Sequence, residues 1–324
     1  MKSVLVVGGA GYIGSHMVLC LQQAGIHVVV LDDLSSGHKE AIENCDLVQG
    51  DLGDRALLSQ LFKQYQFDAV MHFAAFIQVG ESVQKPAMYY DNNVVKTLSL
   101  LDTMRDHGIL NFIFSSTAAV YGEPQYTPID VEHPKAPVNP YGRSKWMLEQ
   151  ILDDYDAAYG LKSTCLRYFN AAGADAKGRT GECHDPETHL IPLILQTAAG
   201  KRESISVFGR DYDTPDGTCL RDYVHVSDLC DAHLLALTHM MKTRKSARYN
   251  LGNGQGFSVQ QVIEAAANVT GRKIKVVDAE RREGDPARLI ADATLAEKEL
   301  GWQPKFADLK TIIEHAWRWE MRGE

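Results

Sequence analysis

Tyr141 and Lys145 stand four residues apart in the segment Tyr141-Gly142-Arg143-Ser144-Lys145, so on a helix they share one face. A phenol held beside an ammonium can serve as a base near neutral pH. Upstream, Ser115-Ser116-Thr117 closes an apolar β-rich run and places a hydroxyl at a strand end. Near the N-terminus, Val4-Leu5-Val6-Val7 leads into Gly8-Gly9-Ala10-Gly11-Tyr12-Ile13-Gly14 and then into the helical pattern Met17, Val18, Leu21. Strand, glycine turn and helix together form a phosphate cradle, because glycine lets the backbone approach the phosphates and the helix N-terminus carries partial positive charge. Each feature alone has a plainer reading: Thr117 could cap a strand, Tyr141 could fill a helix–sheet gap, Lys145 could be a solvated helix residue, and the glycines could only pack a helix on a sheet. Their order along one chain points instead to proton transfer beside a bound dinucleotide.

Those groups need a scaffold, and the first half of the chain supplies its pattern. Short apolar runs at Ser3-Val7, His27-Leu31, Cys45-Gln49, Ala69-Phe73, Asn111-Ser115 and Ser163-Tyr168 alternate with helical patterns at about 12–24, 54–65, 84–107 and 141–159. Such alternation predicts an α/β fold with a doubly wound, parallel Rossmann-type sheet. After Arg167-Tyr168-Phe169-Asn170 the texture changes to Gly, Asp and Thr, followed by a helix near 192–200 and a short strand near 204–208. We expect residues 1–170 to form the NAD-binding domain and 171–324 a smaller α/β substrate domain. The stretch 223–251, read as a helix over 223–241 and a strand over 247–251, is expected to return to the main sheet.

Within that scaffold the cofactor contacts fall at strand ends. Gly8, Gly11 and Gly14, with Tyr12 and Ile13 between them, form the cradle. Asp32 ends the second strand about 20 residues on, where a carboxylate binds ribose hydroxyls and repels a 2′-phosphate, so NAD is expected rather than NADP. Asp33 is a further candidate, although a solvated turn residue fits it too. Asp51 and Leu52 follow the third strand on the adenine side, and Phe73 and Ala74 end the fourth on the pyrophosphate side. Simple core packing explains Phe73 and Ala74 as well.

The chain of 324 residues carries a formal charge of −9, with its Lys and Arg dispersed rather than gathered into a stripe. A nucleic acid or an anionic membrane is therefore not an expected partner, and any anionic ligand needs locally placed cations. Six cysteines show no C-x-x-C spacing, and nothing in the sequence singles out a metal site, so free thiols and no metal are expected. No apolar run approaches the length of a signal peptide or a membrane span, which makes the cytoplasm the expected compartment.

Beyond the fingerprint and the Tyr141–Lys145 pair, the segments Val79-Gly80-Glu81-Ser82-Val83, Tyr89-Tyr90-Asp91-Asn92-Asn93, Leu166-Arg167-Tyr168-Phe169-Asn170, Leu220-Arg221-Asp222-Tyr223-Val224-His225-Val226 and Arg281-Arg282-Glu283-Gly284-Asp285 extend over essentially the whole chain. In this combination the sequence resembles the extended short-chain dehydrogenase/reductase family, and within it the nucleotide-sugar 4-epimerases. The resemblance implies that bound NAD accepts and returns a hydride at carbon 4 while UDP-galactose and UDP-glucose interconvert through a 4-keto intermediate. Thr117, Tyr141 and Lys145 would be catalytic, with Tyr141, Lys145 and Asn92 also touching the cofactor. Thr117, Asn170, His189, Phe208, Arg221, Tyr223, Arg282, Asp285 and Leu289 would bind the substrate, Leu289 walling the sugar pocket. A homodimer pairing helices near 93–107 and 145–159 is also implied.

Related dehydratases carry an Asp-Glu pair after the strand-end threonine; Ala118 and Ala119 stand here. Two positions depart from the family pattern. Ile77 replaces a frequent lysine, and His189 replaces a frequent asparagine near the diphosphate, where a capping histidine is the alternative. Another NAD-dependent nucleotide-sugar epimerase or dehydrogenase, or a non-catalytic NAD-sensing protein, are the competing readings; the last has no need of Tyr141 and Lys145.

Overall fold

A computed structural model describes residues 1–282 and 285–322. Seven strands form the main sheet: β1 (Ser3–Val7), β2 (His27–Asp32), β3 (Asp46–Gln49), β4 (Ala69–His72), β5 (Asn111–Thr117), β6 (Lys162–Tyr168) and, later in the chain, Ala247–Leu251. The last is β11, after β7 (Asn170–Ala172), β8 (Ile205–Phe208), β9 (Leu220–Arg221) and β10 (Tyr223–His225). Their order across the sheet is β11-β6-β5-β4-β1-β2-β3, parallel throughout. The order reverses between β1 and β4, and such a reversal opens a crevice at the strand carboxyl ends.

Both faces of the sheet are covered, which is why all five residues of β1 and all seven of β5 are buried. On one face α1 (Tyr12–Gln23) packs beside the later helix Val226–Thr243 around Met17, Leu21, Leu229 and Leu237. On the other, α2 (Arg55–Gln64), the helix Lys96–Asp106 and the helix Pro140–Tyr159 cover Leu5, Val29, Val70, Phe112 and Phe114. The expected helix over 84–107 is instead broken. Residues Val79–Gln84 form α3, Pro86–Tyr90 form α4, a π turn spans Asp91–Val95, and α5 runs over Lys96–Asp106. Lys85 lies outside the helical region at φ −129° and ψ 55° because the ring of Pro86 disfavours a helical residue before it.

The helix α6 (Pro140–Tyr159) has strong start signals: Asn139 accepts from the Gly142 amide at 2.9 Å, and Pro140 occupies the first turn. After it come α7 (Leu190–Ala198), α8 (Val226–Thr243), α9 (Val259–Thr270), α10 (Thr294–Leu300) and α11 (Leu309–Glu320). The helix expected from Tyr223 starts only at Val226. Tyr223–His225 is extended because it pairs in parallel with Asn170–Ala172, a long-range contact invisible to local periodicity. A second core, built on Ile194, Val207, Val262, Ile312 and Ile313, joins α7, α9 and α11 to the strand pair of β8 with β13 (Val276–Ala279). Beside it, β9 pairs with β12 (Phe257–Ser258) and β14 (Arg288–Leu289). Among the described residues no helix is long and apolar enough to cross a membrane.

One buried ion pair fastens α6 to the sheet. Glu149 and Arg167 are both fully buried, with Arg167 Nε donating to Oε1 at 2.9 Å and Nη2 to Oε2 at 2.5 Å. Ser116 Oγ at the end of β5 and Arg248 Nε in β11 also donate to this carboxylate, at 2.5 and 3.1 Å. Burial alone would raise the Glu149 pKa, but these donors hold it below the ordinary carboxylate value. Replacing only one partner leaves a buried charge uncompensated, so Glu149→Ala should lose about 3–5 kcal/mol of stability. The double variant Glu149→Ala/Arg167→Met should recover much of that loss in denaturant melts, whereas additive losses would show that the two residues do not act as a pair.

Candidate active site

The carboxyl ends of the sheet strands open onto a cavity of about 1100 Å³. Every residue named above as a cofactor, catalytic or substrate candidate contributes to its wall. Glu283 and Gly284, in the motif that contains Arg282 and Asp285, lie outside the described residues.

The glycine turn shows why three glycines are spaced as they are. A Cβ on Gly8 would stand 2.5 Å from the Ala74 nitrogen, and one on Gly14 would stand 2.1 Å from the Gly8 oxygen. Packing therefore dictates both. Gly11 differs: a Cβ there would meet only the Gly8 oxygen, at 3.6 Å, and would otherwise take up cavity space. Gly11 is also the N-cap of α1 and makes no side-chain cap, so the first amides of α1 remain without that partner at the cavity wall. This cradle fits a pyrophosphate. Asp32, at the end of β2, accepts from the Ala10 and Leu34 amides at 2.8 and 2.9 Å, which fixes its carboxylate, while burial raises its pKa despite those bonds. Asp33 is exposed and tied to Ser35 at 2.9 Å, the turn role that was its alternative. Asp51 pairs with Lys96 at 2.5 Å, so a cation absent from the sequence reading reaches the cavity wall. Ile77 lines the cavity, and Asn92 donates to Asn93 at 3.1 Å.

Along the same cavity, Thr117 finishes β5 and Tyr141 lies in the first turn of α6. The two approach because Gly142 has no side chain: a Cβ there would come within 2.6 Å of the Ala119 oxygen. Lys145 is 2% exposed, its Nζ donating to the Ser115 oxygen at 2.8 Å above the Phe114 ring. Burial drives its pKa down to about 7, only partly countered by Glu149. Burial also raises the Tyr141 phenol, with the Thr117 hydroxyl pulling the other way. At the phenol, desolvation outweighs the Thr117 hydroxyl.

The other substrate candidates also line the cavity. Arg221 Nη2 bonds the Asp285 carboxylate and Nη1 donates to the Pro286 oxygen at 2.9 Å. Arg282 stacks 3.9 Å over the Phe208 ring, and Asn170 Nδ2 donates to the Asp222 oxygen at 3.1 Å. Tyr223 is buried opposite Asn170 in the β10–β7 pair, and Leu289 opposes Arg221 in the β14–β9 pair while packing with Ala118, Val120, Tyr121 and Ile129. His189 occupies the N-cap position of α7, yet its ring makes no cap there; Nδ1 bonds Glu187 at 2.8 Å instead. Burial opposes its charge, but Glu187 and Glu182 hold its pKa above the ordinary value. Glu182, His184 and Glu187 also line the cavity and were not singled out by the sequence reading. Their signal was the pair of histidines five apart, interleaved with glutamates, in Glu182-Cys183-His184-Asp185-Pro186-Glu187-Thr188-His189.

Residues 4–252 match the model of the NAD dependent epimerase/dehydratase family. The chain belongs to that family. It is 52% identical over 317 residues to the UDP-glucose 4-epimerase of Halalkalibacterium halodurans, covering 98% of this chain and 95% of that one. The crystal structure of UDP-glucose 4-epimerase from Brucella ovis in complex with NAD superposes with a TM-score of 0.96 at 48% identity, covering 98% of each chain. That from Bifidobacterium longum in complex with NAD+ and UDP gives 0.95 at 39% identity, covering 99% of each.

NAD is therefore the cofactor of this epimerase-family chain, and the glycine cradle offers a direct test. Gly11→Ala should leave the melting temperature of the NAD-free chain close to that of the parent while sharply lowering retained NAD, assayed in the supernatant after denaturation. Gly14→Ala should instead destabilise the NAD-free chain, by about 1–3 kcal/mol for a forced overpacking. The opposite pattern would show that Gly11 serves packing rather than the ligand.

Proposed function

We propose that this chain interconverts UDP-galactose and UDP-glucose by reversible oxidation at carbon 4 of the sugar. The observation that carries the reading is that the Thr117 hydroxyl, the Tyr141 phenol and the Lys145 ammonium line one cavity at the end of β5, together with Arg221 and Arg282. Around that catalytic set stand Ala118 and Ala119, so no carboxylate is placed there to drive elimination of water.

In this reading Tyr141 takes the proton of the sugar 4-hydroxyl, and Thr117 hydrogen-bonds the same oxygen. Bound NAD, held by Gly8, Gly11, Gly14 and Asp32, supplies the hydride acceptor and a positive charge in the same cavity. A free tyrosine titrates near pH 10, so service near pH 7 requires a fall of roughly three units, or about 4 kcal/mol. Burial works against that fall here, and one nearby cation contributes about one to three units. Lys145 therefore needs a second positive charge. Its ammonium, with three donors, also serves a hydroxyl of the nicotinamide ribose in this reading. Tyr141 returns the proton after the 4-keto sugar has presented its other face, so no second substrate is consumed.

Arg221 and Arg282 are the cations available for the diphosphate, with Asn170 and His189 beside them, Phe208 and Tyr223 toward the base and Asp285 toward the uridine ribose. The substrate domain would comprise 171–324 apart from the stretch that contributes β11 to the sheet. We further propose a cytoplasmic homodimer; Val95, Met147 and Tyr159 on the helical segments expected to pair are 54, 42 and 47% exposed.

The purified chain should convert UDP-galactose to UDP-glucose with no added NAD, as read by separation of the sugar nucleotides. Net reduction of added NAD with release of a ketosugar would instead indicate a dehydrogenase. Tyr141→Phe should slow conversion by about two to four powers of ten while UDP binding stays near the parent value. A variant within threefold of the parent rate would remove Tyr141 as the base.

Leu289 makes a second test. It presents a bulky apolar wall next to Ala118, where an acetamido group would clash and lose hydrogen bonds, at a cost of about 1–3 kcal/mol for an unpaired buried amide. UDP-glucose and UDP-galactose should therefore be preferred over UDP-N-acetylglucosamine, with Leu289→Ser narrowing the ratio of kcat/KM values. An unchanged ratio would show that Leu289 serves only the packing around Tyr121.

A further inference from the structure

Glu182, His184, Glu187 and His189 bring one ligand atom each to within 4.8 Å of one another. They sit on a short segment between β7 and α7, at the edge of the cavity and apart from Thr117, Tyr141 and Lys145. The two carboxylates are deeply buried, their side chains 9 and 6% exposed. His189 Nδ1 lies 2.8 Å from Glu187 Oε1 and 3.7 Å from Glu182 Oε2. His184 Nδ1 abuts the other carboxylate, that of Glu182. Two buried carboxylates thus face two imidazole nitrogens.

We propose that these four side chains form a binding site for a single divalent transition cation, with zinc the preferred class. Two imidazole nitrogens and two carboxylates are a ligand set suited to tetrahedral zinc, and hard cations such as magnesium or calcium favour all-oxygen sites. The loop is built to present these ligands. Trp319 in α11 donates through Nε1 to the Glu182 carbonyl at 2.8 Å, and His38 Nε2 lies 3.0 Å from the Cys183 carbonyl, so the segment is fastened to α11 and to the loop after β2. The two side chains on either side of Pro186 then turn toward one point.

The cation has a consequence for the neighbouring ligand site. A metal on Nδ1 of His189 fixes the other ring nitrogen as N–H, a donor rather than an acceptor. That orients His189 as a donor at the cavity edge, where the diphosphate is proposed to lie. This consequence rests on the proposed substrate; the metal site itself does not.

The test uses the full chain with its bound NAD. After chelator treatment and dialysis, the protein is given zinc chloride, desalted, and analysed for metal by mass spectrometry; a parallel sample receives cobalt(II) chloride for visible spectroscopy. One zinc per chain and the intense visible bands of four-coordinate cobalt are expected. His184→Gln and Glu182→Gln should each lower zinc retention at least about tenfold while NAD content reports an intact fold. If the variants do not fold, zinc-dependent protection of His184 and His189 in the parent from diethylpyrocarbonate, mapped by peptide mass spectrometry, decides the matter. Substoichiometric zinc in the parent, only the weak bands of six-coordinate cobalt, unchanged retention in folded variants, or no protection would each overturn the site and leave a histidine–glutamate cluster that shares protons without binding metal. Loss of epimerisation alone would bear on the proposed function and not on the metal.

Discussion

The buried pair of Glu149 with Arg167 is the constraint on which the site depends. Tyr141, Lys145 and Glu149 occur at successive four-residue steps of α6, so they form one stripe along the helix. Arg167 comes from β6, Ser116 from β5 and Arg248 from β11, and all three converge on one carboxylate. This fixes the rotation of α6 about its axis and its position along the strands. The same ties extend outward, because Arg167 Nη1 also donates to the Tyr121 hydroxyl at 2.9 Å and that hydroxyl donates to Asn250 at 2.6 Å. Buried ion pairs are weak contributors to net stability, and their value here is geometric specification.

From this anchor, the chemistry of the cavity follows in steps. With α6 fixed, Gly142 can rest against Ala119, which brings Tyr141 toward Thr117. Lys145 is then forced under the strand end, where it finds the Ser115 carbonyl but loses solvent, and its pKa falls to about 7. The dyad is thus held in place at an electrostatic cost. Charge brought in with a ligand changes that balance, so proton affinity at Tyr141 becomes a property of the loaded cavity rather than of the side chains alone.

Much of this was legible in the sequence because it is local. The strand–glycine–helix junction at Gly8 to Gly14, the carboxylate of Asp32 and the four-residue spacing of Tyr141 and Lys145 are short-range signals, and the observed strands fall within one or two residues of their expected places. The misplaced elements were those set by distant partners or by one overlooked residue. Tyr223 is extended because Asn170 pairs with it from more than fifty residues away, and the helix before α5 breaks at Lys85 because Pro86 follows. Lys96 reaches Asp51 only through the folding of two βα units onto each other. The Glu182–His189 segment carried its signal in plain view, but its ligand atoms converge through turns that helical or strand periodicity does not encode. The electrostatic state of Lys145 could not be read at all, since it depends on burial.

The bond between Arg221 and Asp285 has a further consequence. These two groups, to which the proposed function gives the diphosphate and the uridine ribose, neutralise each other, with side chains only 11 and 27% exposed. A ligand that engages the arginine alone strands a carboxylate at the cavity wall, and one that engages the carboxylate alone strands a guanidinium. Free inorganic phosphate and free nucleosides each offer half of what the pair demands. On the proposed function, the wall thus favours molecules that carry an anion and a hydroxyl donor in a single frame.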